Sequence, residues 1–156
     1  MIYFDVDNTL RDLNGAAGIL PKKYECKIKG IPFVKYFDKN IELVRYARPT
    51  KYHEAAYMWH KYIGNIMLLS SSKWKEETIF WVGDNFCPPQ PKILFVEQKL
   101  SRLKSNDILV EDNPSYSNDD RVIIVDQSYN RNTVTKRRVI NSVELFKELL
   151  WRTHGI

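Results

Sequence analysis

Apolar residues cluster in short runs at regular intervals along this 156-residue chain, and each run is followed by polar or acidic residues. IYFDV (residues 2–6), NIMLL (65–69), KILFVE (92–97), the ILV of DILVEDNP and the VIIV of RVIIVDQSYNR have the length and near-continuous apolarity of strands buried on both faces. Between them the period changes from two to about 3.6. TKYHEAAYMWHKYIG places Tyr52, Ala55, Ala56, Trp59, Tyr62 and Ile63 on one helical face, with Thr50 as N-cap and Gly64 as stop. A second helix is predicted over about 74–82, after SSSKW. A third follows in NSVELFKELLWRTHG, where Asn141 and Glu144 form a capping pair and Val143, Phe146, Leu149 and Leu150 one face. Strands alternating with helices predict an α/β fold, a doubly wound parallel sheet with helices on both faces.

Residues 11–48 break this rhythm. They keep no sustained period and contain Gly15, Gly18, Pro21, Gly30 and Pro32, so they are expected to form a small insertion after the first strand of a single 1–156 domain. Charge concentrates in the same stretch. Residues 11–52 hold ten basic and four acidic side chains, a net +6 within a chain whose total is +5. Tyr24, Phe33, Tyr36, Phe37, Tyr46 and Tyr52 are interleaved with them, a mixture suited either to an anionic ligand with flat rings, such as a nucleotide or nucleic acid, or to a solvated lysine-rich surface.

Composition excludes other classes. With 44% hydrophobic and 28% charged residues the chain is neither disordered nor fibrous, and no apolar run reaches the roughly 18–20 residues of a membrane span. The opening residues form a strand and lack the regions of a signal peptide, so a cytoplasmic protein without a membrane partner is expected. Cys26 and Cys87 lack CxxC spacing and are expected to be reduced thiols.

The chemistry is sharpest in MIYFDVDNTL. Asp5 and Asp7 share one side of a strand, only about 6–7 Å apart, and two such charges are tolerated where a cation lies nearby or one carboxyl stays protonated. In a parallel sheet ligands bind beyond the carboxyl ends of the strands. Asp5 to Thr9, Ser70 to Lys73, Glu111 to Asn113 and Asp126 to Arg131 all follow apolar runs and are predicted to converge there.

These motifs resemble those of the haloacid dehalogenase superfamily of phosphotransferases. DVDNT matches its DxDx(T/V) signature, LLSSS its second motif and VEDNP its acidic fourth motif, and the layout after residue 92 is similar to that of the 5'(3')-deoxyribonucleotidases. The resemblance implies a Mg²⁺-dependent phosphatase with a Rossmann-like core and a cap at 11–48. It implies metal ligation by Asp5, the Asp7 carbonyl and Asp112, with Glu111 beside them. It also implies a phosphate-neutralising lysine before the acidic strand, where Lys99 and Lys104 compete and Lys99 fits the spacing better. Asp5 would attack phosphorus and Asp7 serve as general acid and base. Ser70 would bind a phosphate oxygen, and Ser71 and the backbone amides of Asn8 and Thr9 would contact the substrate. The chain departs from the nucleotidase pattern at Asn8-Thr9, where Gly-Val is frequent, and at Glu111, where many members carry aspartate.

The expected activity is therefore phosphomonoester hydrolysis, with a nucleoside monophosphate as favoured substrate. A polynucleotide end phosphatase and a catalytically silent nucleotide- or nucleic-acid-binding protein are the alternatives. Gly83-Asp84 is expected to form a turn, KRR at 136–138 a solvated loop, and His53 and His60 ordinary surface or core histidines.

Overall fold

In the computed structural model, which describes residues 1–19 and 27–156, the apolar runs pair into one six-stranded sheet. Pro21, Lys22, Lys23, Tyr24, Glu25 and Cys26 lie outside the described residues. The chain runs β1 (Ile2–Asp5), α1 (Leu13–Ala16), β2 (Lys27–Ile28), β3 (Ile31–Pro32), α2 (Phe33–Lys39), α3 (Ile41–Tyr46) and α4 (His53–Tyr62). It continues through β4 (Ile66–Ser70), α5 (Lys75–Asn85), β5 (Lys92–Phe95), β6 (Ile108–Glu111), β7 (Val122–Val125), β8 (Arg138–Val139) and α6 (Ser142–His154).

The large sheet has the order β5-β4-β1-β6-β7-β8, and every pairing in it is parallel. From β1 the chain first steps outward through β4 to β5, then returns to the other side of β1 for β6, β7 and β8. That reversal makes β1 the switch point, where the strand ends open into a crevice.

The clusters of buried side chains show how the faces are covered. Ile2, Phe4, Ile66, Leu68, Ile108, Val110, Ile123 and Val125 pack with Ala55, Ala56 and Trp59 of α4, Trp81 and Val82 of α5, and Leu145 and Leu149 of α6. The alternate residues Leu69, Leu109, Val122 and Ile124 pack with Leu103, Leu100 and Tyr116, from or beside two short 3₁₀ turns. Flanking is thus uneven, since the three long helices share one face while short turns cover the other. A right-handed crossover must change face when the direction of winding reverses, and the crossovers on the second side are too short for full helices.

Local chemistry sets the element ends. Asn141 Oδ1 accepts from the Glu144 N–H at 2.9 Å, Glu144 Oε2 accepts from the Ile140 N–H at 3.0 Å, and Gly155 ends α6 at φ 68°. At α4 the helix begins at His53, two residues later than predicted. Thr50 instead donates to the Thr9 carbonyl at 2.6 Å and accepts from the Tyr52 N–H at 3.2 Å.

Other expectations are corrected. Tyr62 and Ile63 are exposed past the buried stripe of α4, and Val143 is exposed while Leu145 is buried in α6. Gly83-Asp84 is not a turn but part of α5, where Gly83 faces open space and the helix tolerates it. The basic run is not a solvated loop, because Arg138 lies in β8 and binds Asp126 and Asn130, and Arg137 pairs with Glu148.

Leu13, Ile28, Phe37, Val44 and Ala47 of the segment between β1 and α4 form an apolar cluster with Trp74, which precedes α5. The segment's incoming and outgoing chains run side by side, joined by Asp12 N–H to the Arg48 carbonyl (2.9 Å) and Thr50 N–H to the Leu10 carbonyl (2.7 Å). No helix among the described residues is long and apolar enough to cross a membrane.

Candidate active site

Three strand ends meet at the switch point. β1 delivers Asp5, β4 ends on Ser70, and β6 ends on Glu111 with Asp112 next. The Asp5, Glu111 and Asp112 carboxylates each offer an oxygen within 4.8 Å of the others, and all three residues are buried. The short turn after β5 brings in Lys99, itself only 4% exposed, whose Nζ donates to Asp5 Oδ1 and, at 2.7 Å, to Glu111 Oε2. Lys104, the competitor, is exposed on the loop, where its backbone N–H donates to Asp107.

Hydrogen bonds fix the remaining oxygens. The Thr9 hydroxyl lies 3.1 Å from both Asp5 Oδ2 and Asp112 Oδ1. Glu111 Oε1 accepts the N–H groups of Asp112 (3.0 Å) and Asn113 (3.1 Å), so both of its oxygens are engaged. Tyr129 donates its hydroxyl to Asp112 Oδ2, and the Asn130 amide donates to the Asp112 carbonyl at 2.9 Å. Tyr129 and Asn130 belong to the polar stretch after β7 that was predicted to converge, although neither was singled out. Only the fold shows which members of that stretch reach the centre.

Burial raises the Asp5 carboxyl to about 7, with the Glu111 charge adding and Lys99 opposing. Asp112 is pushed well above the carboxylate range by burial and then by Glu111 and Asp5. Burial also acts to raise Glu111, but Lys99 and hydrogen bonds from Asp112 and Asn113 carry it below its ordinary value. Lys99 loses hydration, yet the facing charges of Asp5 and Glu111 keep it firmly protonated. Three buried acids thus share one lysine, which holds Asp5 and Asp112 toward their protonated forms in the metal-free chain.

Asp7 stands apart from this cluster. Its carboxylate pairs with Arg11, which donates from Nε at 2.8 Å and Nη2 at 2.5 Å, and it lines a cleft of about 450 Å³. Asn8, Ser71, Ser72, Lys73 and Tyr129 line the same cleft, with Phe33 and Val34 facing them from the inserted segment. Asn8 adopts a left-handed φ of 60° and its N–H donates to the Arg11 carbonyl at 2.7 Å, so that amide is not free for a substrate. The Thr9 N–H takes no acceptor among the described residues. Ser70 is buried and its Oγ accepts from the Ser72 N–H at 3.1 Å. Ser71 is exposed at the cleft.

Arg11 was counted only among the basic residues of the insertion; its spacing of four from Asp7 was the available signal. No family model matches the chain, and no curated protein matches it.

Proposed function

We propose that the chain is a Mg²⁺-dependent phosphomonoester hydrolase acting through an aspartyl phosphate on Asp5, with a nucleoside monophosphate as substrate. The observation that carries this reading is the buried Asp5, Glu111 and Asp112 set at the β1 switch point, matched by a single lysine. An all-oxygen donor set with surplus negative charge fits a hard divalent cation. Asp5 and Asp112 are the residues to hold it, with the Asp7 carbonyl: their oxygens meet hydroxyl groups and the mobile ammonium of Lys99, whereas Glu111 Oε1 is fixed by two backbone N–H groups and its Oε2 anchors Lys99. When bound, Mg²⁺ supplies the positive charge that lets an anion approach a phosphate.

The chain's own residues account for each transfer. An Asp5 oxygen forms a bond to phosphorus as the bond from phosphorus to the ester oxygen breaks. The electron pair passes to the leaving alkoxide, which takes a proton from Asp7. Water then attacks phosphorus and gives its proton to Asp7, the bond to Asp5 breaks, and inorganic phosphate leaves. Lys99, the Thr9 N–H and Ser70 are the donors available to phosphate oxygens. The segment 11–48 acts as a cap, and its Phe33, opposite Lys73 across the cleft, suits a ligand with both a ring and a charge.

The test is phosphate release from deoxy- and ribonucleoside monophosphates, phosphosugars and an end-phosphorylated oligonucleotide, with Mg²⁺ or EDTA. Release that requires Mg²⁺ and falls by about 10⁴-fold or more in Asp5→Asn is expected. Activity that survives the substitution refutes the mechanism, and preference for the oligonucleotide refutes the assigned substrate.

A further inference from the structure

Arg11 is the only charged side chain among the described residues with no exposed surface at all. Besides its two bonds to Asp7, Nη2 donates to Thr78 Oγ1 at 3.0 Å and Nη1 to the Val44 carbonyl at 3.3 Å. Its guanidinium carbon lies 5.8 Å from the centre of the Trp81 ring. The contacts are themselves fixed. Thr78 Oγ1 donates to the Trp74 carbonyl at 2.7 Å, and Trp81 Nε1 to the Ala47 carbonyl at 2.8 Å. The planar fork is therefore held by α5 and α3 at once and has no room to swing.

The direction of its bonds matters more than their number. A guanidinium and a carboxylate commonly meet fork to fork, one N–H to each oxygen. Here both N–H groups fall on Oδ1, and no described residue donates to Oδ2. When Asp7 carries a proton, an oxygen facing two N–H donors has no place for it, so the proton sits on Oδ2. Asp7 lines the cleft while Arg11 lies buried behind Oδ1, which makes Oδ2 the oxygen offered to a bound ligand.

We propose that Arg11 is the positioning residue of the acid–base carboxylate, fixing Oδ2 of Asp7 as the atom that delivers a proton to the leaving group. This rests on the phosphatase function proposed above. Arg11 does not touch the substrate and acts through Asp7 alone.

Leaving groups separate this role from ordinary support of the fold. An alkoxide departing from a nucleoside monophosphate needs a proton, whereas p-nitrophenolate departs without one. The experiment compares kcat/KM for both substrates in wild type and Arg11→Lys. Lysine keeps the charge but cannot direct two N–H groups of a rigid fork onto one oxygen. Because kcat/KM reports only steps up to release of the alcohol, hydrolysis of the aspartyl phosphate does not enter. The expected result is a loss of about 10²-fold on the nucleotide and under about fivefold on p-nitrophenyl phosphate. Equal losses on the two substrates overturn the positioning role. A wild type that releases no phosphate from either overturns the parent function instead. If Arg11→Lys shows no cooperative melt, Thr78→Val, which removes one anchor of Arg11, is expected to give the same selective loss at about five- to tenfold, and equal losses there overturn the proposal.

Discussion

Two charged networks of this molecule have opposite stoichiometry. At Glu148 in α6 one buried carboxylate meets two cations, with Arg137 Nη2 on Oε2 and Arg152 Nε on Oε1 at 2.8 Å. At the strand ends three buried carboxylates meet one lysine. Both are hydrogen-bonded throughout, and no buried side-chain nitrogen or oxygen among the described residues lacks a partner. Satisfied hydrogen bonds are therefore not the difference. The Glu148 carboxylate finds more than enough positive charge in the chain itself, whereas at the strand ends carboxyls outnumber cations, and burial holds Asp5 and Asp112 toward their protonated forms. An excess of carboxyls over cations is what the proposed cation would offset.

Removing the lone cation should break the comparison most severely. Lys99→Met leaves Asp5 and Glu111 buried without a counter-charge and is expected to destabilise the metal-free protein by about 3–5 kcal/mol in urea melts. Phosphate release should fall at least about 10²-fold as well. Supplying charge should act the other way. Millimolar Mg²⁺ is expected to raise the melting temperature at pH 7.5, corresponding to about 2–3 kcal/mol at a hundredfold excess over Kd, and Asp112→Asn should abolish the rise. An unchanged melting temperature in wild type would remove the cation from the reading.

Protons should compete for the same deficit. Asp5 titrates near 7 in the fold and near 4 when unfolded, so between these values the native state binds the extra proton. Stability of the metal-free protein is thus expected to fall as pH rises through this window, by several degrees in melting temperature. Asp5→Asn should flatten that slope, while Asp112, raised in the same direction, keeps part of it. Mildest of all, Glu148→Gln is expected to cost about 1 kcal/mol, because both arginines can regain water, and to leave phosphate release unchanged.

Much of the site was legible because its residues follow apolar runs. Asp5, Ser70 and Glu111 each end a strand and Asp112 follows one, and a parallel sheet gathers such positions by construction. Lys99 could be ranked above Lys104 only by spacing, and burial against Asp5 and Glu111 separates them. Arg11 was hidden by its company, since among ten basic residues in one stretch its spacing of four from Asp7 is the one local mark that it turns inward. Tyr129 was hidden by its loop, where no period reports direction. Helix faces were legible to within two residues at their ends, as Tyr62, Ile63 and Val143 show, because a terminal turn has no neighbouring element to cover it.

The hydrogen-bonded pairing of residues 10–12 with 48–50 has a consequence for architecture. The chain leaves the sheet and returns to it at nearly the same point, so to the α/β core everything from Asp12 to Arg48 is topologically one tight turn. Its length imposes no demand on the spacing of β1 and α4, and its apolar residues bury against one another and against Trp74 at the start of α5. The segment is thus a module closed at its own base, tied to the sheet layer through the end of α3, where the Val44 and Ala47 carbonyls accept from Arg11 and from Trp81 of α5.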